Sequence, residues 1–73
     1  MQKLPLSVTI IAYNEEKNLT LMYREITDIF KNALQEYNYE IIMVNDGSQD
    51  QSWEAIKHIC KTDTRVVGVY LSR

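Results

Sequence analysis

The sequence predicts half of a doubly wound α/β sheet, with elements in the order β-α-β-α-β, and three observations carry the prediction. Three short runs rich in β-branched and aliphatic residues, at positions 6–12, 39–45 and 66–71, stand well apart in the chain. Between them lie two stretches whose apolar residues recur every three or four positions, the spacing of a helix face. Each of these stretches is long enough to carry the chain back between parallel strands, and such crossovers are right-handed in nearly all known cases.

The first run, "LSVTIIA", follows Pro5, which suits the entry of a strand better than the interior of a helix. From Glu15 to about Glu36 the apolar residues are Leu19, Met22, Tyr23, Ile26, Ile29, Phe30, Ala33, Leu34 and Tyr37, one continuous helical stripe. Asn14 is the candidate cap of this helix, and Glu15 and Glu16 in its first turn complement the positive end of the dipole. The run 39–45 lacks polar alternation in its middle, as expected of a central strand covered on both faces. A second helix is expected to begin near 48–51, where Ser48-x-x-Gln51 has the form of a capping box, and to present Trp53, Ile56, Ile59 and Cys60 on one side. Residues 62–65 read as a loop, and residues 66–71 give the third strand.

Composition bounds what such a chain can be. Its 73 residues suffice for one small domain, which buries only about 60% of the surface its unfolded form exposes. The content of 45% hydrophobic residues, with one Pro and two Gly, is that of a folding chain and not of a disordered tail. With a formal charge of −2 and its basic residues dispersed, the chain has no stripe to track a phosphate backbone, which argues against nucleic acid as a partner. Cys60 has no second cysteine to pair with, and no charged, apolar, small-residue leader stands at the N-terminus, so a reducing, cytoplasmic setting is expected. Apolar runs fall far short of the roughly 20 residues that span a bilayer.

In an open parallel sheet, ligands gather at the carboxyl ends of the strands, where loops and helix N-termini surround a crevice. Two loops fall at that edge here, residues 12–16 ("AYNEE") and residues 45–50 ("NDGSQD"). Asp46 can accept hydrogen bonds from a base N–H or a ribose hydroxyl, and Gly47 lets the chain turn without a Cβ clash. Tyr13 offers a ring face for a base, with Glu15 in the same loop. Asp and Gly after a strand are also ordinary turn formers, so spacing alone leaves a routine turn and a nucleoside pocket both open. His58 falls on a helix flank and has no partner at metal-ligand spacing; Cys60 and Trp53 fall on the apolar side and read as packing residues. No G-x-x-x-x-G-K-[ST] or G-x-G-x-x-G occurs, and the isolated His58 gives no sign of a Ser-His-Asp triad.

Taken together, "SVTIIAYNEEKNL", then "YEIIMVNDGSQDQSWEAI", then "RVVGVYLSR" resemble the N-terminal end of the family-two inverting glycosyltransferases. Within that family they are most similar to the polyprenyl-phosphate sugar transferases, such as dolichyl-phosphate mannose synthase and bactoprenol glucosyltransferase. The resemblance covers essentially the whole chain. It implies a GT-A fold, a Rossmann-like sheet that binds a nucleotide-sugar donor with Mg²⁺ or Mn²⁺. It also implies that residues 1–73 are the incomplete, N-terminal nucleotide-binding portion of such a domain. By position in the motifs, it implies nucleoside-binding roles for Ile11, Tyr13, Glu15, Val44 and Asp46. Two residues depart from the family pattern: Ile11 stands where Pro is common, and Asn45 replaces the first acid of D-D-G-S, leaving Asp46 to carry the contact.

The D-x-D signature that grips metal and diphosphate in the family has no counterpart among the 73 residues. Neither do the general base and the acceptor-lipid elements. The resemblance therefore implies a donor-binding half-site, with no catalytic or metal-ligating residue assigned in this chain, which is expected to be inactive alone. The implied partners are a UDP- or GDP-hexose and, for a parent enzyme at the cytoplasmic face of a membrane, a lipid-phosphate acceptor. Self-association through uncovered apolar surface is a further expectation. The competing reading is a non-catalytic α/β interaction module or a truncated gene product. A flavodoxin-like or receiver half is a third, disfavoured reading.

Overall fold

The computed structural model describes residues 3–13, 16–47 and 51–71. They form β1 (Leu4–Ala12), α1 (Glu16–Asn32), β2 (Tyr37–Asp46), α2 (Ser52–Thr62) and β3 (Val66–Leu71). The three strands are parallel in the order β1-β2-β3, so β2 is central as the sequence predicts. Val66–Leu71 is the predicted third strand without change.

Two helix ends differ from expectation. The apolar stripe predicts α1 as far as Glu36, yet the helix stops at Asn32. Ile29 O accepts from both Ala33 N–H (2.8 Å) and Leu34 N–H (3.2 Å), and Tyr37 N–H then donates to Leu34 O (3.2 Å) as the chain turns. Glu36 O meanwhile accepts from Leu4 N–H at 3.0 Å, and the ladder runs from Leu4 opposite Tyr37 onward. Strand pairing thus takes Tyr37 and Asn38 from what periodicity assigns to the helix and the turn after it. At the other helix, the N-cap is Gln51, whose side chain makes no capping bond. The proposed caps Asn14 and Ser48, and the site candidate Glu15, lie outside the described residues.

Both helices lie on one face of the sheet. Strand alternation places Ile10, Ala12, Tyr39, Ile41, Met43 and Val66 on that face, where they pack with Leu19, Met22, Tyr23 and Ile26 of α1 and Trp53, Ile56, Ile59 and Cys60 of α2. Two right-handed crossovers that each step one strand in the same direction must put both helices on the same side. The expectation that β2 is covered on both faces is corrected accordingly. Ile41 and Met43 are wholly buried, whereas Ile42 and Val44 on the opposite face are half-buried by their in-plane neighbours alone. That open face also carries Ile11, Val67 and Leu71, all exposed. One-sided cover explains the extended shape: the radius of gyration is 12.7 Å, against about 11 Å for a compact domain of this length.

Polar and aromatic contacts at the amino ends of β2 and β3 fasten the layers together. The Tyr23 hydroxyl donates to Asp63 Oδ2 at 2.6 Å, tying α1 to the C-cap of α2. Phe30 stacks on Tyr39 with ring centroids 4.1 Å apart, and the Arg65 guanidinium lies 4.8 Å from the centroid of the Tyr39 ring. Asp63 Oδ1 also accepts from Arg65 N–H at 2.9 Å, shaping the entry to β3.

The hydrogen bond to the Asp63 carboxylate, with burial second, raises the Tyr23 phenol from its ordinary 10.0 to about 12. The folded state therefore favours the protonated phenol. Its stabilising contribution is complete below pH 10 and is lost as the pH rises from about 10 through about 12. Thermal melts across that window are expected to show a decline in the wild type that is shallower in Tyr23→Phe, which is itself about 1 kcal/mol less stable at neutral pH. Parallel pH profiles for the two proteins would refute this. Burial also pushes the Cys60 thiol up, partly offset by a hydrogen bond with the Gly68 backbone. That keeps the thiol protonated and agrees with its place beside the core.

Candidate functional site

The carboxyl edge of the sheet is assembled from residues that the sequence places far apart. In the parallel register Ile11 lies directly opposite Val44, and Ala12 opposite Asn45. Ile11 and Val44 therefore stand side by side on the open face, Ile11 69% exposed and Val44 half-buried. Tyr13 follows β1 immediately and is 53% exposed, so its ring is accessible at this edge. Asp46 is the last residue of β2, half-buried opposite Leu71 of β3. Gly47 comes next with φ 68°, in the left-handed region that glycine enters without Cβ strain. The turn role assigned to it from sequence thus has a conformational basis.

Four of the five candidates, Ile11, Tyr13, Val44 and Asp46, thus gather at one end of the sheet, while Glu15 lies outside the described residues. Chemically the set joins an apolar step, an aromatic face and a carboxylate. The carboxylate accepts hydrogen bonds, the ring stacks, and the aliphatic pair excludes water from one side. Both helices begin at this same edge, so the positive ends of their dipoles face any anion placed there. Among the described residues no three His, Cys, Asp or Glu side chains converge as a metal site.

Two polar residues that the sequence reading gave no site role, Asn45 noted only as a departure from the family pattern and Ser52 not at all, also belong to this edge. Asn45 and Ser52 are both completely buried. The signal for Asn45 was available: it shares strand parity with Ile41 and Met43, so a side chain at that position faces the helices. A cavity of about 990 Å³ lies elsewhere, at the amino edge among Tyr23, Phe30, Tyr39, Asp63 and Arg65. Those groups are already engaged with one another, so size alone does not mark it as the site.

Comparison with known proteins bears on this edge. The family model described as "Glycosyl transferase family 2" matches residues 7–73. A putative glycosyltransferase, CsbB, of Bacillus subtilis is 38% identical over 68 residues, covering 93% of this chain and 20% of the relative. The dolichol-phosphate mannosyltransferase of Pyrococcus furiosus is 43% identical over 53 residues, 73% of this chain and 14% of the relative. The undecaprenyl-phosphate 4-deoxy-4-formamido-L-arabinose transferase of Aeromonas hydrophila is 38% identical over 68 residues, 92% of this chain and 20% of the relative. The chain thus spans a fifth or less of the length of these relatives. With a family model matched along nearly the whole length and three parallel strands in the expected order, the chain belongs to glycosyl transferase family 2.

Proposed function

We propose that the chain holds the nucleoside end of a nucleotide-sugar donor for transfer of a hexose, with a polyprenyl phosphate as the acceptor of the whole enzyme. The observation that carries this reading is the convergence of Tyr13 and Asp46 on one sheet edge, beside the Ile11–Val44 pair. In this reading the base stacks on Tyr13 above the aliphatic pair, and Asp46 accepts from a base N–H or a ribose hydroxyl. Glu15, in the loop of Tyr13, is a further acceptor for the ribose. The diphosphate then runs toward the helix N-termini, whose dipoles complement its charge. The residues position the nucleoside diphosphate that departs; the reacting carbon is the donor sugar's anomeric carbon, the attacking oxygen is the acceptor phosphate's, and no residue of this chain is assigned to activate either or to hold Mg²⁺ or Mn²⁺.

The acceptor class is supported by two relatives whose names specify lipid phosphates, dolichol phosphate and undecaprenyl phosphate. Among the described residues no helix is long and apolar enough to cross a membrane. The reading has the chain meet its lipid acceptor at the cytoplasmic face of the bilayer.

Titration calorimetry with UDP-glucose and GDP-mannose tests the reading. Weak binding of one of them is expected, with Asp46→Ala lowering affinity about 10- to 100-fold, the value of one hydrogen bond to a charged group. Asp46→Asn, which keeps an acceptor but not the charge, is expected to fall between. Equal affinity in the wild type and Asp46→Ala would remove the nucleoside role.

A further inference from the structure

β3 is an edge of the sheet, and among the described residues no strand lies on its outer side. Arg65 O accepts from Ile41 N–H at 2.9 Å, so in the parallel ladder the odd residues of β3 direct their backbone groups at β2 and the even ones, Val66, Gly68 and Tyr70, direct theirs outward. Val66 N–H is taken by Asp63 O at 3.1 Å, and the Gly68 backbone meets the Cys60 thiol, a weak partner. The Tyr70 N–H and the Val66 and Tyr70 carbonyls face outward. The strand, VVGVYL, carries neither a charge nor a proline, the usual devices that keep an edge from pairing. The opposite edge is different: Leu4 N–H donates to Glu36 O, so the next residue, Pro5, faces outward and has no N–H to offer.

Beside the β3 edge lies a groove of about 440 Å³ lined by Trp53, Ile56, Cys60, Val66 and Gly68. Tyr70 next to it is 51% exposed, its ring edge-on to Trp53 at 5.3 Å. The helix above this edge is asymmetric in charge, with Glu54 in the first turn of α2 and Lys61 in the last. An antiparallel copy of α2 sets each of these against its opposite and opposes the two helix dipoles, whereas a parallel copy sets like against like.

We propose that two copies of this chain join edge to edge through β3, antiparallel about Gly68, into one sheet of six strands, three from each copy, with the two α2 helices side by side. When Gly68 lies opposite itself, Tyr70 N–H donates to Val66 O of the second copy, and the two-fold axis repeats the bond. On the helix face Tyr70 stands beside Val66 of the second copy and closes the groove. On the open face Val67 stands opposite Val69 of the second copy, a cross-strand pair of β-branched side chains. Glu54 and Lys61 of opposite copies face one another along the helix pair. None of this rests on the donor-site reading.

Sedimentation equilibrium of the 73-residue chain tests the proposal, with circular dichroism checking that each variant folds. A monomer–dimer equilibrium is expected; a wild type that stays monomeric up to about 1 mM overturns it. Val67→Lys, at a position 45% exposed in the single chain, puts two lysines in the seam and is expected to weaken the dimer at least about tenfold. A dissociation constant within about twofold of wild type in that variant overturns the proposal. Glu54→Lys and Lys61→Glu are each expected to weaken the dimer about fivefold, and together in one chain to return it to within about twofold of wild type. No recovery in the double variant overturns the antiparallel arrangement, and this pair carries the test if Val67→Lys does not fold. The Tyr70 amide is expected to exchange about tenfold more slowly above the dissociation constant than below it, and exchange independent of concentration overturns the proposal. Ile11→Lys, two strands away on the open face, is expected to leave the constant within about twofold; loss of the dimer there but not in Val67→Lys would mean stacked open faces and overturn edge pairing.

Discussion

Leu19→Ala is expected to cost about 2–5 kcal/mol, while Leu21→Ala, two residues along the same helix, is expected to change stability by no more than about 0.5 kcal/mol. Leu19 is completely buried where α1 meets the sheet, and Leu21 is 55% exposed. A chain of this length has a total stability of only about 4–11 kcal/mol, so the first substitution removes a large share of it. Urea denaturation would show the contrast as a fall in midpoint for Leu19→Ala with the slope unchanged. Similar losses for the two leucines would mean that α1 does not present the face described.

The second large effect is expected at Gly68. A Cβ there would lie 2.7 Å from Ile56 Cγ2, 3.4 Å from Trp53 and 3.5 Å from Cys60 Sγ. Ile56 is wholly buried and its Cγ2 is fixed on the branched carbon, so it cannot swing aside as the tip of a long side chain would. Gly68→Ala is therefore an overpacking change, costing about 1–3 kcal/mol. The smaller entropy of the unfolded alanine chain works the other way by about 0.4–1 kcal/mol, which is too little to reverse the sign. For a domain this small each kcal/mol lowers Tm by about 4–8 °C. The cause is checked by Gly68→Ala combined with Ile56→Leu, which removes Cγ2. The double variant is expected to be at least about 1 kcal/mol more stable than the sum of the single losses. Strict additivity would locate the strain elsewhere.

The hydrophobic pattern was enough to read the element order, the central place of β2 and the limits of β3, because each depends on local periodicity. It could not reveal where α1 ends. Ala33, Leu34 and Tyr37 continue the helical spacing, and only the pairing of Leu4 with Tyr37, a contact across the whole first crossover, takes the chain out of the helix. Ile29 shows the same limit: it lies on the stripe yet is 52% exposed, since neighbouring Phe30 fills the space over Tyr39. One-sided cover was likewise hidden, for an apolar run such as Ile41 to Val44 looks alike whether one face or two are packed.

At the candidate site, residue chemistry was legible and residue adjacency was not. The motifs singled out Ile11 and Val44 separately; their side-by-side placement is a property of the register. Asn45 was visible only as a departure from a family pattern, and its significance comes from complete burial, which no motif encodes. Ser52 carries no motif at all.

The parallel arrangement has a kinetic consequence. Ser7 and Glu40, hydrogen-bonded across β1 and β2, are 33 residues apart, and β2 likewise reaches β3 only through a helix. No strand can meet its partner through a tight hairpin turn, so each pairing must first close a long loop. Refolding should accordingly take the millisecond-or-slower course of non-local topologies, with α1 forming early and the ladders zipping up last.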